Sequence, residues 1–192
     1  MRKVTYSLTA SLDGYIVDPE GGFDFAPPDD ELFRFATDEV RAHDVHLLGR
    51  RLYETMLFWE DAEWRTPDRD RSRDTAMLEF AGVWNPLPKV VFSTTLSQVR
   101  GSARLASGSV AEEIERLRAE PGEGDIAIGG ATLAHEAAAA DLIDEYRVRV
   151  CPVLVGGGIP YFAHQARHVD LELVETRTFD SGVVFLHHRV VR

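Results

Sequence analysis

A second cysteine is missing from this 192-residue chain. With Cys151 alone no intrachain disulfide can form, and the alternating apolar run around it suits a small buried thiol. A reducing, cytoplasmic setting is therefore expected. Also missing is any lysine- or arginine-rich run. The 21 basic residues against 32 acidic ones give a formal net charge of −11, which repels a phosphate backbone unless the cations are gathered on one face. Nucleic acid is not an expected partner. The densest charged stretch, "DRDRSRD" from Asp68 to Asp74, alternates its signs and reads as a solvated loop or a helix entrance. No apolar run is long enough to cross a bilayer, and the residues after Arg2 and Lys3 alternate instead of forming the unbroken apolar core of a signal peptide. No membrane partner is expected.

Several chemical signatures are absent as well. "GGATLA" at 129–134 has no third glycine in dinucleotide register, and the "GGG" at 156–158 follows a strand without a helix behind it. There is no P-loop and no G-x-S-x-G elbow. His43 and His46 have metal-ligand spacing but no cysteine or carboxylate partner nearby, so they read as surface or hydrogen-bonded histidines. His187 and His188, adjacent on a strand, face opposite ways and do not share a metal. No metal site is expected.

What the chain does have is alternation. Val4, Tyr6, Leu8, Ala10 and Leu12 interleave with Thr5, Ser7, Thr9 and Ser11, a period-2 strand that ends at the turn pair Asp13-Gly14. After the loop "VDPEGGFDFAPP", Asp29 or Asp30 can cap a helix that buries Leu32, Phe33, Ala36 and Val40. "DVHLLGR" is a strand and "RRLYETM" a helix; "PKVVFSTT" is a strand. Ser109 and Glu112 form a capping box for "VAEEIERLRAE", which Pro121-Gly122 stops. "DIAIGG" leads into the helix "ATLAHEAAAADLI". The next strand sets Tyr146, Val148 and Val150 on one face and Arg147 and Arg149 on the other, and two final strands turn at Asp180, Ser181 and Gly182. This order predicts one domain over 1–192, a three-layer α/β/α sandwich whose mixed, mostly parallel sheet ends in a C-terminal antiparallel hairpin.

In such sheets ligands bind beyond the carboxyl ends of the strands. Four of those ends carry small or polar residues: Thr9 to Gly14, Gly49 to Arg51, Ser93 to Thr95 and Gly129 to Thr132. Each alone is ordinary turn chemistry. Together they share one address. Arg50 and Arg51 open a helix, where a cation gains nothing from the helix dipole and an anion compensates it. Ser93, Thr94 and Thr95 add hydroxyls, and guanidinium groups with hydroxyls suit a phosphate monoester. Gly129 and Gly130 at a third helix start offer a second anion site, which fits an elongated nucleotide with two phosphate regions.

"SLDGYI" at 11–16, "LLGRRLYE" at 47–54, "VVFSTT" at 90–95, "IAIGGATL" at 126–133 and "VCPVLVGGGIPYF" at 150–162 stand in the order of a known family. The chain resembles the dihydrofolate reductase-like fold family, in the branch of the C-terminal reductase domain of bacterial riboflavin biosynthesis. The resemblance implies an NADPH-dependent reductase of a small molecule. It assigns Gly49, Arg50, Arg51, Ser93 and Thr94 to the adenosine 2′-phosphate, and Gly129, Gly130, Ala131, Thr132 and Leu133 to the pyrophosphate. Thr9, Ala10 and the loop past Asp13 would border the nicotinamide. On this reading the double glycine exists because side chains there would collide with the dinucleotide.

For the substrate the resemblance points to an acid at the start of the first long helix. "FAPPDD" sets Phe25, Pro28 and Asp30 at the family's intervals, which makes Asp30 the candidate catalytic acid, its alternative role being a helix cap; Asp13 is the second candidate. Arg34 stands where an apolar residue would pack on a pterin, no arginine precedes "KVVFS" to hold a folate tail, and Tyr15 replaces the lysine of the riboflavin-pathway enzyme. The substrate is thus left open among small heterocycles and other C=N or C=O compounds. A module that keeps only the cofactor site is the alternative. Relatives in this branch pair as homodimers, and Tyr161 and Phe162 of "GGGIPYF" offer either a surface for pairing or core packing.

Overall fold

Strand β1 (Val4–Ser11) sends Val4, Tyr6 and Ala10 into the main core and, by alternation, Thr5, Ser7 and Thr9 to the opposite face. In the computed structural model, which describes residues 1–23, 25, 29–61, 75–162 and 168–192, β1 is hydrogen-bonded on both sides to parallel strands. These are β6 (Asp125–Gly129), in register Tyr6 to Ile128, and β7 (Glu145–Cys151), in register Thr9 to Arg149. Beyond β6 lie β3 (His43–Gly49), β4 (Lys89–Phe92) and β5 (Ala103–Leu105), all parallel. Beyond β7 come β10 (Val184–Val190) and the edge strand β9 (Leu171–Thr178), both antiparallel to their neighbours. The eight-stranded order is β5-β4-β3-β6-β1-β7-β10-β9. The expected mixed sheet and terminal hairpin are both present. A small separate sheet pairs β2 (Tyr15–Val17) with β8 (Ile159–Pro160). The "DRDRSRD" stretch and Pro28 lie outside the described residues.

Helices cover both faces, as parallel crossovers require. On one face α4 (Val110–Ala119) and α5 (Ala131–Ala139) press Ile114, Leu117, Leu133, Ala134 and Ala137 onto Val4, Tyr6, Leu47, Ile126 and Ile128. On the other lie α1 (Asp30–Arg41), α2 (Arg50–Met56) and α3 (Thr75–Trp84), where Tyr53, Phe80 and Trp84 pack with Leu48 and Val91. Leu32 of α1 joins Cys151, Phe179, Val183 and Phe185 in a third cluster. The capping box of Ser109 and Glu112 is formed. Helix α3 escaped the sequence reading because its apolar residues run nearly all round it. Its C-terminus is closed by buried Lys89, whose ammonium donates to the carbonyls of Trp84 (2.7 Å) and Leu87 (2.9 Å). Helix α5 stops at Ala139, short of the expected Ile143, because Asp141 turns left-handed at φ 58°. Tyr161 belongs to the core: it is 1% exposed and its hydroxyl donates to the Tyr6 carbonyl at 2.9 Å. Only Phe162 of that pair is at the surface.

The layer between the sheet and α1 is polar, contrary to what its depth favours. Arg149 of β7 donates to Thr9 Oγ1 (3.2 Å), to Ser7 Oγ (3.1 Å) and to Glu39 of α1. Arg147 pairs with Asp125 at 3.3 Å and Glu145 at 2.7 Å. Glu145 is fully buried; burial raises its pKa, but hydrogen bonds from Lys3, Arg147 and His187 outweigh that and hold it at about 2. His43 and His46 adjoin this layer and are neither surface nor hydrogen-bonded residues. None of their four ring nitrogens is accessible or has a hydrogen-bond partner among the described residues. Desolvation, aided by the neighbouring cations, pushes His43 down to about 4 and His46 to about 3.

A histidine held neutral in the fold protonates first in the unfolded chain, so its contribution is complete above about pH 6.5 and is lost as pH falls towards its folded value. His46→Phe should therefore flatten the dependence of unfolding free energy on pH between about 6.5 and 3. Chemical denaturation at stepped pH measures this, and a slope equal to wild type would contradict the neutral assignment.

Candidate functional site

The parallel run places the carboxyl ends of β4, β3, β6 and β1 side by side, in that order. At about 4.8 Å per strand this makes a shelf of about 14 Å. Each end carries one of the four segments singled out by sequence. Gly49 is paired beside Phe92, the last residue of β4, and Leu48 beside Gly129, the last residue of β6.

At the β4–β3 end, exposed Arg50 opens α2 and donates to Thr95 Oγ1 (2.8 Å) and Glu54 (2.8 Å). The amides of Thr95 and Leu96 donate to Ser93 Oγ at 3.1 and 3.0 Å. This folds the segment after β4 back toward α2, with the Thr94 side exposed. Arg51 is exposed one residue on. Of the groups gathered by sequence, Arg50, Thr95 and Ser93 thus meet in space.

Three of the shelf glycines, Gly49, Gly129 and Gly130, have different reasons to be glycine. A Cβ on Gly129 would lie 2.5 Å from Leu52 Cδ2 and 2.8 Å from His46 Nε2, so its smallness serves packing inside the chain. Gly130 has φ 96°, a backbone conformation that other residues resist, with nothing within 4 Å of its missing Cβ. Collision with a dinucleotide is therefore not needed to explain that pair. Gly49 is the position the fold does not explain: its φ is −71°, and the nearest atom to an added Cβ is Leu133 Cγ at 4.0 Å. Behind Gly130 the N-terminus of α5 has no side-chain cap, which leaves the amides of Ala131, Thr132 and Leu133 without helix partners. Ala131 and Leu133 turn their side chains into the core, while Thr132 is exposed.

At the β1 end, Thr9 Oγ1 is held by Arg149 and the Ala10 side chain is buried. Ser11 Oγ accepts from the Tyr15 amide at 3.0 Å. Asp13 is an exposed clamp: its carboxylate accepts from the amides of Val155 (3.2 Å) and Gly156 (2.7 Å). Its pKa is lowered, chiefly by a hydrogen bond with Ser11. Gly156, Gly157 and Gly158 then carry the chain into β8, and a Cβ on Gly158 would strike the Val17 carbonyl at 1.9 Å. The cap of α1 is Asp29, which accepts from the Leu32 amide at 2.7 Å. Asp30 is the first helical residue and is exposed, so the capping alternative passes to its neighbour. Arg34 is also exposed, and Leu32 is the α1 residue buried beneath this end. Sequence reasoning missed the Ser7–Glu39–Arg149 group under Thr9. Its signal was the polar alternation of β1 and β7, but no pattern announces that a mid-helix glutamate meets it.

A cavity of about 500 Å³ lies elsewhere, at the amino ends of β3 and β4, lined by Arg2, Asp44, Lys89, Arg104 and Gly122 among others. Its cations are engaged within the chain: Arg2 with Asp44 and the Leu117 carbonyl, Lys89 with α3, Arg104 with Glu113. The shelf, where no side chain caps the N-terminus of α5, has the better binding chemistry.

The different glycine environments make separable predictions. Gly130→Ala should cost stability, about 1 kcal/mol or more, from its backbone angle alone. Gly49→Ser places a preferred capping residue at the start of α2, so its melting temperature should match or exceed wild type, while binding of the NADPH that the resemblance implies should weaken at least tenfold. Unaltered binding by folded Gly49→Ser would mean that no ligand approaches there.

The profile of the RibD C-terminal domain matches residues 2–185. The uncharacterized protein YyaP of Bacillus subtilis is 30% identical over 183 residues, covering 95% of this chain and 92% of that one. Among solved structures, a provisionally named riboflavin biosynthesis protein of Shewanella sp. PV-4 superposes with TM-score 0.75 at 21% identity over 99% of both chains. Dihydrofolate reductase of Enterococcus faecalis, solved with NADP(H), gives TM-score 0.62 at 16% identity, covering 99% of this chain and 97% of that one. The deaminase/reductase of Thermotoga maritima gives 0.66 at 15% identity, with 57% of that chain covered. These structural likenesses establish a shared dihydrofolate reductase-like fold. With a profile spanning nearly its whole length and a full-length relative, the chain belongs to the RibD C-terminal domain family.

Proposed function

We propose that the protein is an NADPH-dependent reductase of a small heterocyclic or other C=N or C=O compound. The observation that carries this reading is the shelf: an exposed guanidinium with hydroxyls at one end and an uncapped helix N-terminus about two strands away. That is the spacing of a phosphate monoester and a pyrophosphate on one extended molecule. Arg50, Arg51, Ser93 and Thr94 would hold the 2′-phosphate, and the amides from Gly130 to Leu133 the pyrophosphate. The backbone at Thr9 and Ala10 would border the nicotinamide, which supplies the hydride when bound. The family and its reductase neighbours support the same class of chemistry.

On this reading the chain's own task is to position the two reactants and to supply a proton. Asp30 sits at the shelf end of α1 and is the proposed donor or relay. Asp13 is the poorer candidate, because its lowered pKa and two amide contacts keep it a structural carboxylate. A second reading, a module that binds cofactor without reaction, is favoured by one feature: Asp30 is exposed to solvent. Cofactor oxidation with a panel of pterins, pyrimidinones and quinonoid compounds separates the two.

Charge-assisted contacts are worth about 1.5–3 kcal/mol each, so NADPH should bind at least about tenfold more tightly than NADH. Titration calorimetry giving equal dissociation constants would remove the 2′-phosphate assignment. With a working substrate, Asp30→Asn should leave NADPH affinity and stability unchanged and lower turnover by about 10²–10⁴. Stability is a clean control here because Asp29 is the cap. Unchanged turnover would take Asp30 out of the reaction.

A further inference from the structure

Helix α2 carries its charges the wrong way round. Arg50 opens this seven-residue helix and Glu54 stands in its last turn, so each lies at the like end of the helix dipole. Their order at i and i+4, cation before carboxylate, is also the less favourable one. The two side chains are 49% and 42% exposed, where an ion pair adds little to stability. Helix formation therefore does not account for the pair.

Its geometry is that of a cation already supplied with an anion. Glu54 Oε1 accepts from Arg50 Nε at 2.8 Å, and Thr95 Oγ1 accepts from Arg50 Nη1 at 2.8 Å. Thr95 Oγ1 lies in turn 3.3 Å from Ser93 Oγ. Guanidinium, carboxylate and two hydroxyls thus form one connected group, in which Glu54 brings the negative charge.

A carboxylate and a phosphate compete for one guanidinium. Charges a few ångströms apart interact even in water, so Glu54 both engages Arg50 and repels an incoming phosphate. A ligand without a phosphate at this end meets neither effect.

We infer that Glu54 is an internal counter-anion of the phosphate-monoester site: it neutralises Arg50 in the free protein, yields the guanidinium to the adenosine 2′-phosphate, and takes it back on release. The inference rests on the proposed assignment of that phosphate to Arg50. It makes the hold on NADPH looser than the guanidinium and hydroxyls alone would give, and so hastens departure of the cofactor.

Adenosine 2′,5′-bisphosphate and 5′-AMP, which differ only in the 2′-phosphate, are the probes, titrated by calorimetry at low and high salt. Wild type should prefer the bisphosphate. Glu54→Gln can still accept from Arg50 Nε, so it keeps the guanidinium in place while removing the charge. It should bind the bisphosphate about threefold to tenfold more tightly than wild type, with 5′-AMP unchanged. The gain should shrink as salt is raised, and stopped-flow displacement of NADPH should show it as slower dissociation. Glu54→Ala should gain likewise, whereas a carboxylate that only held Arg50 in position would make this variant bind more weakly. Glu115→Gln, which removes the same charge from an exposed position on α4, should change nothing. Equal binding of the two probes by wild type would overturn the 2′-phosphate assignment and this inference with it. A wild type that prefers the bisphosphate, with no gain in Glu54→Gln or an equal gain in Glu115→Gln, would overturn the counter-anion role alone.

Discussion

The parallel alignment of β4, β3, β6, β1 and β7 is the constraint on which the rest depends. Parallel strands need crossovers, and the crossovers supply the helices that bury both faces. The same rule brings the carboxyl ends of these strands, and of β5 with them, to one side, where each chain segment must turn out of the sheet. Small and polar residues there are first of all the means of turning. They become a site because the turns are neighbours in space and two of them, after β3 and β6, open helices that no side chain caps.

The two faces of the sheet are built on different principles. Under α4 and α5 the packing is aliphatic and continuous with the centre of β1. Under α1 the sheet meets its helix through Glu39, Arg149, Arg147 and Glu145, joined by Ser7 and Thr9. Ion pairs at that depth add little net stability after desolvation, but removing one partner leaves a buried charge, so they fix the placement of α1 strictly. The placement carries outward: Arg149 holds Thr9 at the shelf, and α1 presents Asp30 at its shelf end. His43 and His46, left neutral beside this layer, extend the same polar seam towards Gly129.

The sequence made the strands legible where alternation was strict, as in β1 and β7, and the helices where caps were explicit, as at Ser109 with Glu112. The shelf was legible because strand ends share an address in any parallel sheet. What escaped had no local signal. Lys89 looks like a strand's first residue until Trp84 and Leu87 place their carbonyls around it. Gly129 and Gly130 look alike in sequence, yet one answers to Leu52 and His46 and the other to its own backbone angle. Choosing between Asp29 and Asp30 as the cap needed the position of the Leu32 amide. The register shift of β9 opposite His187 and His188 is invisible until the partner strand is in place.

The reductase reading requires one extended anionic ligand along the shelf from β4 to β1. Backbone amide shifts recorded by NMR during titration with NADPH address it directly. The predicted result is a set of saturable changes at Gly49 to Arg51, Ser93 to Thr95 and Gly130 to Leu133, with the amides of Arg2, Lys89 and Gly122 at the opposite end unmoved. Changes confined to that opposite cavity, or none at all, would contradict it.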